Sequence, residues 1–154
     1  MFLLALIFGI LGASLALVVE LTVLNLGGSF SYSTALPNFA HLGTLALAAI
    51  IEESARYLLL RQYVRRFLSD SPFSWQRVSS VGFLFGSGFA SIELVLLTAR
   101  ESAPFLPTLG ISLVHIILST FFAFSLTRKL PFPALWVLAC GIVLHFVYNL
   151  LLTL

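Results

Sequence analysis

Glu52, Glu53, Arg56, Glu93, His115 and His145 are ionisable side chains set deep inside apolar runs of a chain with few other charges. Carboxylates and imidazoles move protons near neutral pH and ligate divalent metals. Their spacing sorts them further. Glu52 and Arg56 are four apart and share a helix face, so Arg56 can hold a neighbouring carboxylate ionised and oriented. Glu53 points about 100° away, so one glutamate can serve a centre while the other pairs or supports it. His145 and Asn149 are also four apart, and His115 and Ser119 repeat the step. Phe89 stands four before Glu93.

Two hydrolytic chemistries fit such a set. In one, His115, His145 and Glu93 hold a divalent metal such as zinc, and Glu52 or Glu53 is general base to the bound water. In the other no metal takes part. A glutamate activates water directly, and His145 with Asn149 stabilises the oxyanion. A third use is purely structural, a polar network that locks helices together. A fourth is a proton or ion pathway. No nucleophile elbow and no phosphate-binding glycine loop accompany these residues.

The elements that position them follow from composition. The 154 residues are 60% hydrophobic and 9% charged, with a mean hydropathy of +1.08. Soluble domains carry about 25% charged residues, so this chain belongs in a lipid bilayer as a single transmembrane domain over 1–154. A net charge of +2 gives no reason to invoke nucleic acid. The single Cys140 excludes an internal disulfide and reads as small packing filler. Apolar runs near the 20-residue spanning length predict an all-α bundle of five helices, near 2–24, 39–60, 78–98, 105–127 and 132 to the end. Pro104, Pro107, Pro131 and Pro133 fall at span starts, where a missing N–H is harmless. The first span lacks a basic flank and reads as a retained helix rather than a signal peptide.

Basic residues in the loops orient the bundle. Arg61, Arg65, Arg66 and Arg77 lie between the second and third spans, Arg128 and Lys129 between the fourth and fifth. The first loop has no charge, and Arg100 is beside Glu101 in the third. The expected topology is amino terminus inside, carboxy terminus outside, with Trp75 and Trp136 near the inner interface. Glu20 and His41 lie near outer span ends and read as solvated end residues.

Depth brings the site together. With a rise of 1.5 Å per residue, Glu52 lies about 13 Å from the inner boundary and Glu93 about 10 Å from the outer one. His115 and His145 lie about 15 Å and about 20 Å into their spans. All fall in the central half of a core about 30 Å thick. An ionisable group there costs about 2.5–3.5 kcal/mol on insertion scales, so such groups face the bundle interior. Gly82 and Gly86 form a GxxxG, and Gly88 and Gly141 add further small residues near the polar level.

Four motifs, one per helix over about 45–150, resemble the PrsW-type intramembrane proteases, within the wider group of CAAX prenyl proteases and bacteriocin-processing proteins. "EESAR" at 52–56 is similar to that group's double-glutamate motif, and "GFASIE" at 88–93 to its GFAxxE segment. "HIILS" at 115–119 and "HFVYN" at 145–149 are similar to its third and fourth motifs. Glu93 stands where the CAAX branch usually has histidine, which points to the PrsW branch. The chain departs from that branch in having fewer spans and Arg56 where lysine is commoner. The resemblance implies Glu52 or Glu53 as the water-activating residue, Glu93, His115 and His145 as partners or ligands, and Asn149 as support. It implies a membrane-embedded protein or peptide as substrate and the plasma (inner) membrane of a prokaryote as location. The gamma-secretase scaffold subunit resembles the same group but lacks the glutamate pair, so a non-catalytic partner-binding protein is the alternative.

Overall fold

The computed structural model describes residues 1–26, 39–68, 74–98, 105–127 and 133–151. All five expected helices are present: α1 Phe2–Leu26, α2 Phe39–Phe67, α3 Trp75–Thr98, α4 Phe105–Leu126 and α5 Ala134–Leu151. The loops with Arg100, Glu101, Pro104, Arg128, Lys129 and Pro131 lie outside the described residues, as does the side chain of His41. Four helices, α1, α3, α4 and α5, are long and apolar enough to cross a membrane. The exception is α2, because every 18-residue stretch of it takes in Glu52, Glu53 and Arg56.

Local signals explain where the helices start and stop. α2 runs past Leu60 and closes with Arg65 and Arg66 in its last turn, where cations complement the helix dipole. α3 begins three residues before the predicted Val78. Ser74 caps it, its Oγ accepting from the Arg77 N–H at 3.2 Å and its carbonyl from Val78 at 3.2 Å. Pro133 stands just ahead of α5, and its carbonyl accepts from Trp136 at 3.0 Å.

The helices form a ring in the order α1, α3, α4, α5, α2, closing back on α1, and α2 also touches α4 across it. Two of the five ring contacts, α1 with α3 and α2 with α5, join helices that are not sequence neighbours. One end gathers Met1, the foot of α2 and the start of α3. Tyr63 Oη donates to the Met1 carbonyl at 2.9 Å, and Trp75 packs on Phe124 with centroids 4.9 Å apart. Phe8, Tyr63 and Phe67 form an aromatic cluster there. Tyr148 meets Gly110 at the opposite end. Trp75 and Trp136 are both exposed.

Apolar burial gains little inside lipid, so close backbone approach has to hold the helices together. The most extensive interface, α3 on α4, uses the GxxxG. A Cβ on Gly82 would sit 2.5 Å from Thr120 Cα, and one on Gly86 2.6 Å from Ile116 Cα. Gly9 and Gly88 do the same between α1 and α3, against the carbonyls of Phe85 and Leu6. Gly86→Ala is expected to force the α3 and α4 backbones apart and to cost about 1–3 kcal/mol, measured by reversible unfolding in bicelles. Unchanged stability would mean the two helices are not in backbone contact at this level. Cys140 is exposed on α5 and is not the packing filler predicted. α5 fully buries only Gly141 and His145, while Ala134, Val137 and Leu138 are partly buried against the core.

Candidate functional site: a closed circuit of acids and imidazoles

Inside the ring the ionisable side chains form one continuous chain of contacts. Glu93 Oε2 meets His115 Nε2, and His115 Nδ1 meets Arg56 Nη2. Arg56 Nη1 donates to Glu53 Oε1 at 2.5 Å, and the same oxygen accepts from His145 Nδ1 at 2.8 Å. His145 Nε2 then lies 3.6 Å from Glu52 Oε2, and Glu52 is in side-chain hydrogen-bonding range of Glu20. Every helix contributes at least one member.

Both ends of the chain reach one cavity. Its volume is about 220 Å³, and Leu17, Glu20, Glu52, Phe89, Ile92, Glu93 and Leu96 line it. It lies between α1, α2 and α3, and Leu96 places its rim two residues from the end of α3. Burial divides the chain accordingly. Glu53, His115 and His145 have no exposed side-chain surface, whereas Glu52 keeps 15% and Glu93 22%. Glu52 and Glu93, together with Glu20, are therefore the acids a molecule in the cavity can reach.

Proton positions follow from donor chemistry. Arginine only donates, so Nδ1 of His115 accepts, and the ring carries its proton on Nε2 and donates it to Glu93. Glu53 accepts from both Arg56 and His145, which places a His145 proton on Nδ1; in the neutral ring Nε2 then keeps a lone pair. That Nε2 is buried and has no hydrogen-bond partner among the described residues. At 3.6 Å from Glu52 Oε2 it is too far for a direct hydrogen bond. The gap is too narrow to hold a water in line between them, so a water on Glu52 has to sit on its cavity side.

Supporting residues have visible tasks. Phe89 lies under the guanidinium of Arg56, 4.3 Å from the ring centroid, and packs against His115 at 5.1 Å, a cation–π contact that steadies the charge. The rings of His115 and His145 meet edge to face at 5.2 Å. Gly141 opens room for Glu53, whose Oε2 would lie 3.4 Å from a Cβ there. Ser119 is buried with its hydroxyl unpartnered among the described residues. Asn149 is half-buried on α5, and no hydrogen bond joins it to the chain among the described residues.

Three expectations change. Arg56 pairs with Glu53, three residues away, rather than with Glu52. Both spacings share a helix face, and Glu52 instead turns toward the cavity between α1 and α3. Glu20 is no solvated end residue, since it lines the cavity and its Oε1 is buried. A signal was available: Phe2 to Glu20 and Trp75 to Glu93 are both steps of 18 residues from a helix start, and α1 and α3 run side by side. Last, Glu52 stands with His115 and His145 where Glu93 was expected among metal ligands, their donor atoms within 4.8 Å of one another. Glu93 is engaged by the Nε2 edge of His115.

No family pattern, no curated protein and no solved structure matches the chain.

Proposed function

We propose that the chain is an intramembrane endopeptidase that hydrolyses a peptide bond of a membrane-embedded protein or peptide, with Glu52 as the base that activates water. One observation carries this reading: a circuit of ionisable groups that starts and ends at one cavity and holds an unpartnered imidazole nitrogen beside a carboxylate. Water hydrogen-bonded to Glu52 on its cavity side would turn a lone pair toward a substrate carbonyl there, with His145 behind the carboxylate. Glu52 takes the proton as the water attacks and returns it to the leaving amine. Glu53 and Arg56 fix the His145 tautomer from behind. The resemblance of the four motifs to those of the PrsW-type proteases supports this reading and, with it, the plasma (inner) membrane of a prokaryote as location; the basic loops support an amino terminus on the inside.

A transport pathway would need polar groups continuing to the opposite face. Toward the end that holds Met1 the core is mostly apolar instead, built of Leu60, Val64, Val78, Val81, Phe85 and Phe122, and among the described residues it buries no acid, base or imidazole. A purely structural network has no need of a free acceptor beside a cavity.

The nearness of donor atoms from Glu52, His115 and His145 favours a second, metal-assisted version. Such an ion would supply Lewis-acid polarisation. Glu52 and His145 Nε2 are ready ligands. Both nitrogens of His115 are engaged, and a guanidinium already brings a positive charge to the centre, so the fit is incomplete.

The test is hydrolysis itself. Reconstituted protein is incubated with membrane-spanning peptides in water enriched in heavy oxygen, and fragments are weighed by mass spectrometry. New carboxyl ends carrying the label are expected. Their persistence in a Glu52→Gln/Glu53→Gln variant that assembles normally would exclude this centre. Cleavage is expected to survive chelation. Loss on chelation with recovery on added zinc would transfer the assignment to the metal version.

A further inference from the structure

A second polar feature lies at the other end of α2, outside the circuit. Leu58, Arg61, Gln62, Arg65 and Arg66 surround an open recess of about 380 Å³. At about 30 Å³ per water molecule this is space for roughly a dozen waters, ample for a phosphate-bearing headgroup. The residues recur at the spacing of one helical face. Arg65 and Arg66 are exposed, Arg61 is partly so, and among the described residues no carboxylate lines the recess. Arg66 leans over Phe67, 5.8 Å from its ring centroid. One turn toward the bundle centre, Leu58 is 55% exposed. An arginine cluster beneath an outward-facing leucine offers charge at one depth and apolar contact at the next.

The depths match a lipid. From the level of Glu52, Arg61 lies about 13 Å along the helix and Arg65 about 20 Å. Half of a hydrocarbon core is about 15 Å. Leu58 is thus within acyl-chain depth, and the three guanidiniums lie at headgroup depth. Guanidinium is the side chain suited to two-point contact with a phosphate.

We infer that this recess is a binding site for an anionic phospholipid of the adjoining leaflet, its phosphate held by Arg61, Arg65 and Arg66 and one acyl chain lying along Leu58. The site is independent of the hydrolytic centre. The positive-inside pattern explains which way the arginines face. It does not require three of them on one face with no acid among them.

The test uses the full chain in phosphatidylcholine vesicles with traces of spin-labelled phosphatidylglycerol or phosphatidylcholine. The ratio of the two held at the protein surface is read by electron paramagnetic resonance. Wild type is expected to prefer the anionic lipid, and the preference to weaken as salt rises. An attraction of ordinary size amounts to about five-fold per arginine. Arg61→Gln/Arg65→Gln/Arg66→Gln should therefore lower the ratio at least five-fold, and replacement of the same three by lysine should keep most of it. Arg77→Gln, at the same end but on α3, should leave it unchanged. No preference in wild type, an unchanged ratio in the triple glutamine variant, or an equal loss in Arg77→Gln would each overturn the site.

Discussion

Glu52→Gln is expected to lower the rate of peptide hydrolysis by about 10²–10⁴-fold, the usual contribution of a positioned general base, while the bundle folds as before. The two halves of this expectation have separate grounds. The rate falls because an amide cannot take a proton from water, and no other carboxylate faces His145 Nε2 at this distance among the described residues. The fold survives because Glu52 carries no short ion pair. Its nearest imidazole contact is 3.6 Å, and an amide of the same shape can still hydrogen-bond Glu20. Glu53→Gln should behave differently. Among the described residues that carboxylate is the one acid paired with Arg56, and it also accepts from the His145 N–H, so stability and activity should fall together. Cleavage by wild type and decay of the full-length substrate with Glu52→Gln, measured on equal amounts of monodisperse protein, decide the matter. A Glu52→Gln enzyme within a few-fold of wild type would place the base elsewhere.

The contrast between the adjacent glutamates shows where sequence reading reached its limit. Five helices were legible, because lipid leaves few ways to satisfy a backbone and each apolar run declares its length. Even α2 was legible as a helix despite its charges, since segments rich in breakers bound it. The level shared by Glu52, Glu93, His115 and His145 was legible too, because helical rise converts residue number into depth. Direction around the helix axis was not. Steps of three and four both keep a common face, so counting could not choose Glu53 over Glu52 as the partner of Arg56. Neighbour order was hidden as well. The contact of α1 with α3 depends on Gly9 and Gly88 meeting the carbonyls of Phe85 and Leu6, and no periodicity within one helix reveals a partner on another. Once that contact is known, the place of Glu20 follows, as α1 and α3 run in parallel from the same end.

Arg56→Met should cost about 3–5 kcal/mol, the penalty for breaking a buried ion pair from one side. Arg56 and Glu53 have no exposed side-chain surface, so the carboxylate left behind cannot recover its loss from water. The His145 N–H still reaches Glu53 at 2.8 Å, which holds the cost within that range. Phe89 adds to the cost by losing the cation above its ring. Methionine keeps the length and flexibility of the side chain, so the volume of the site changes little. Reversible unfolding in bicelles measures the difference. Adding Glu53→Gln to Arg56→Met should restore part of the loss, because the orphaned charge is then gone, and the double-mutant cycle isolates the pair from its surroundings. A single variant within 1 kcal/mol of wild type would mean that the guanidinium does not hold the circuit together. A restored double variant that still fails to cleave would separate the two duties of Glu53 and Arg56. Stability would then need only a balanced charge, whereas hydrolysis would need His145 held with its Nε2 free beside Glu52.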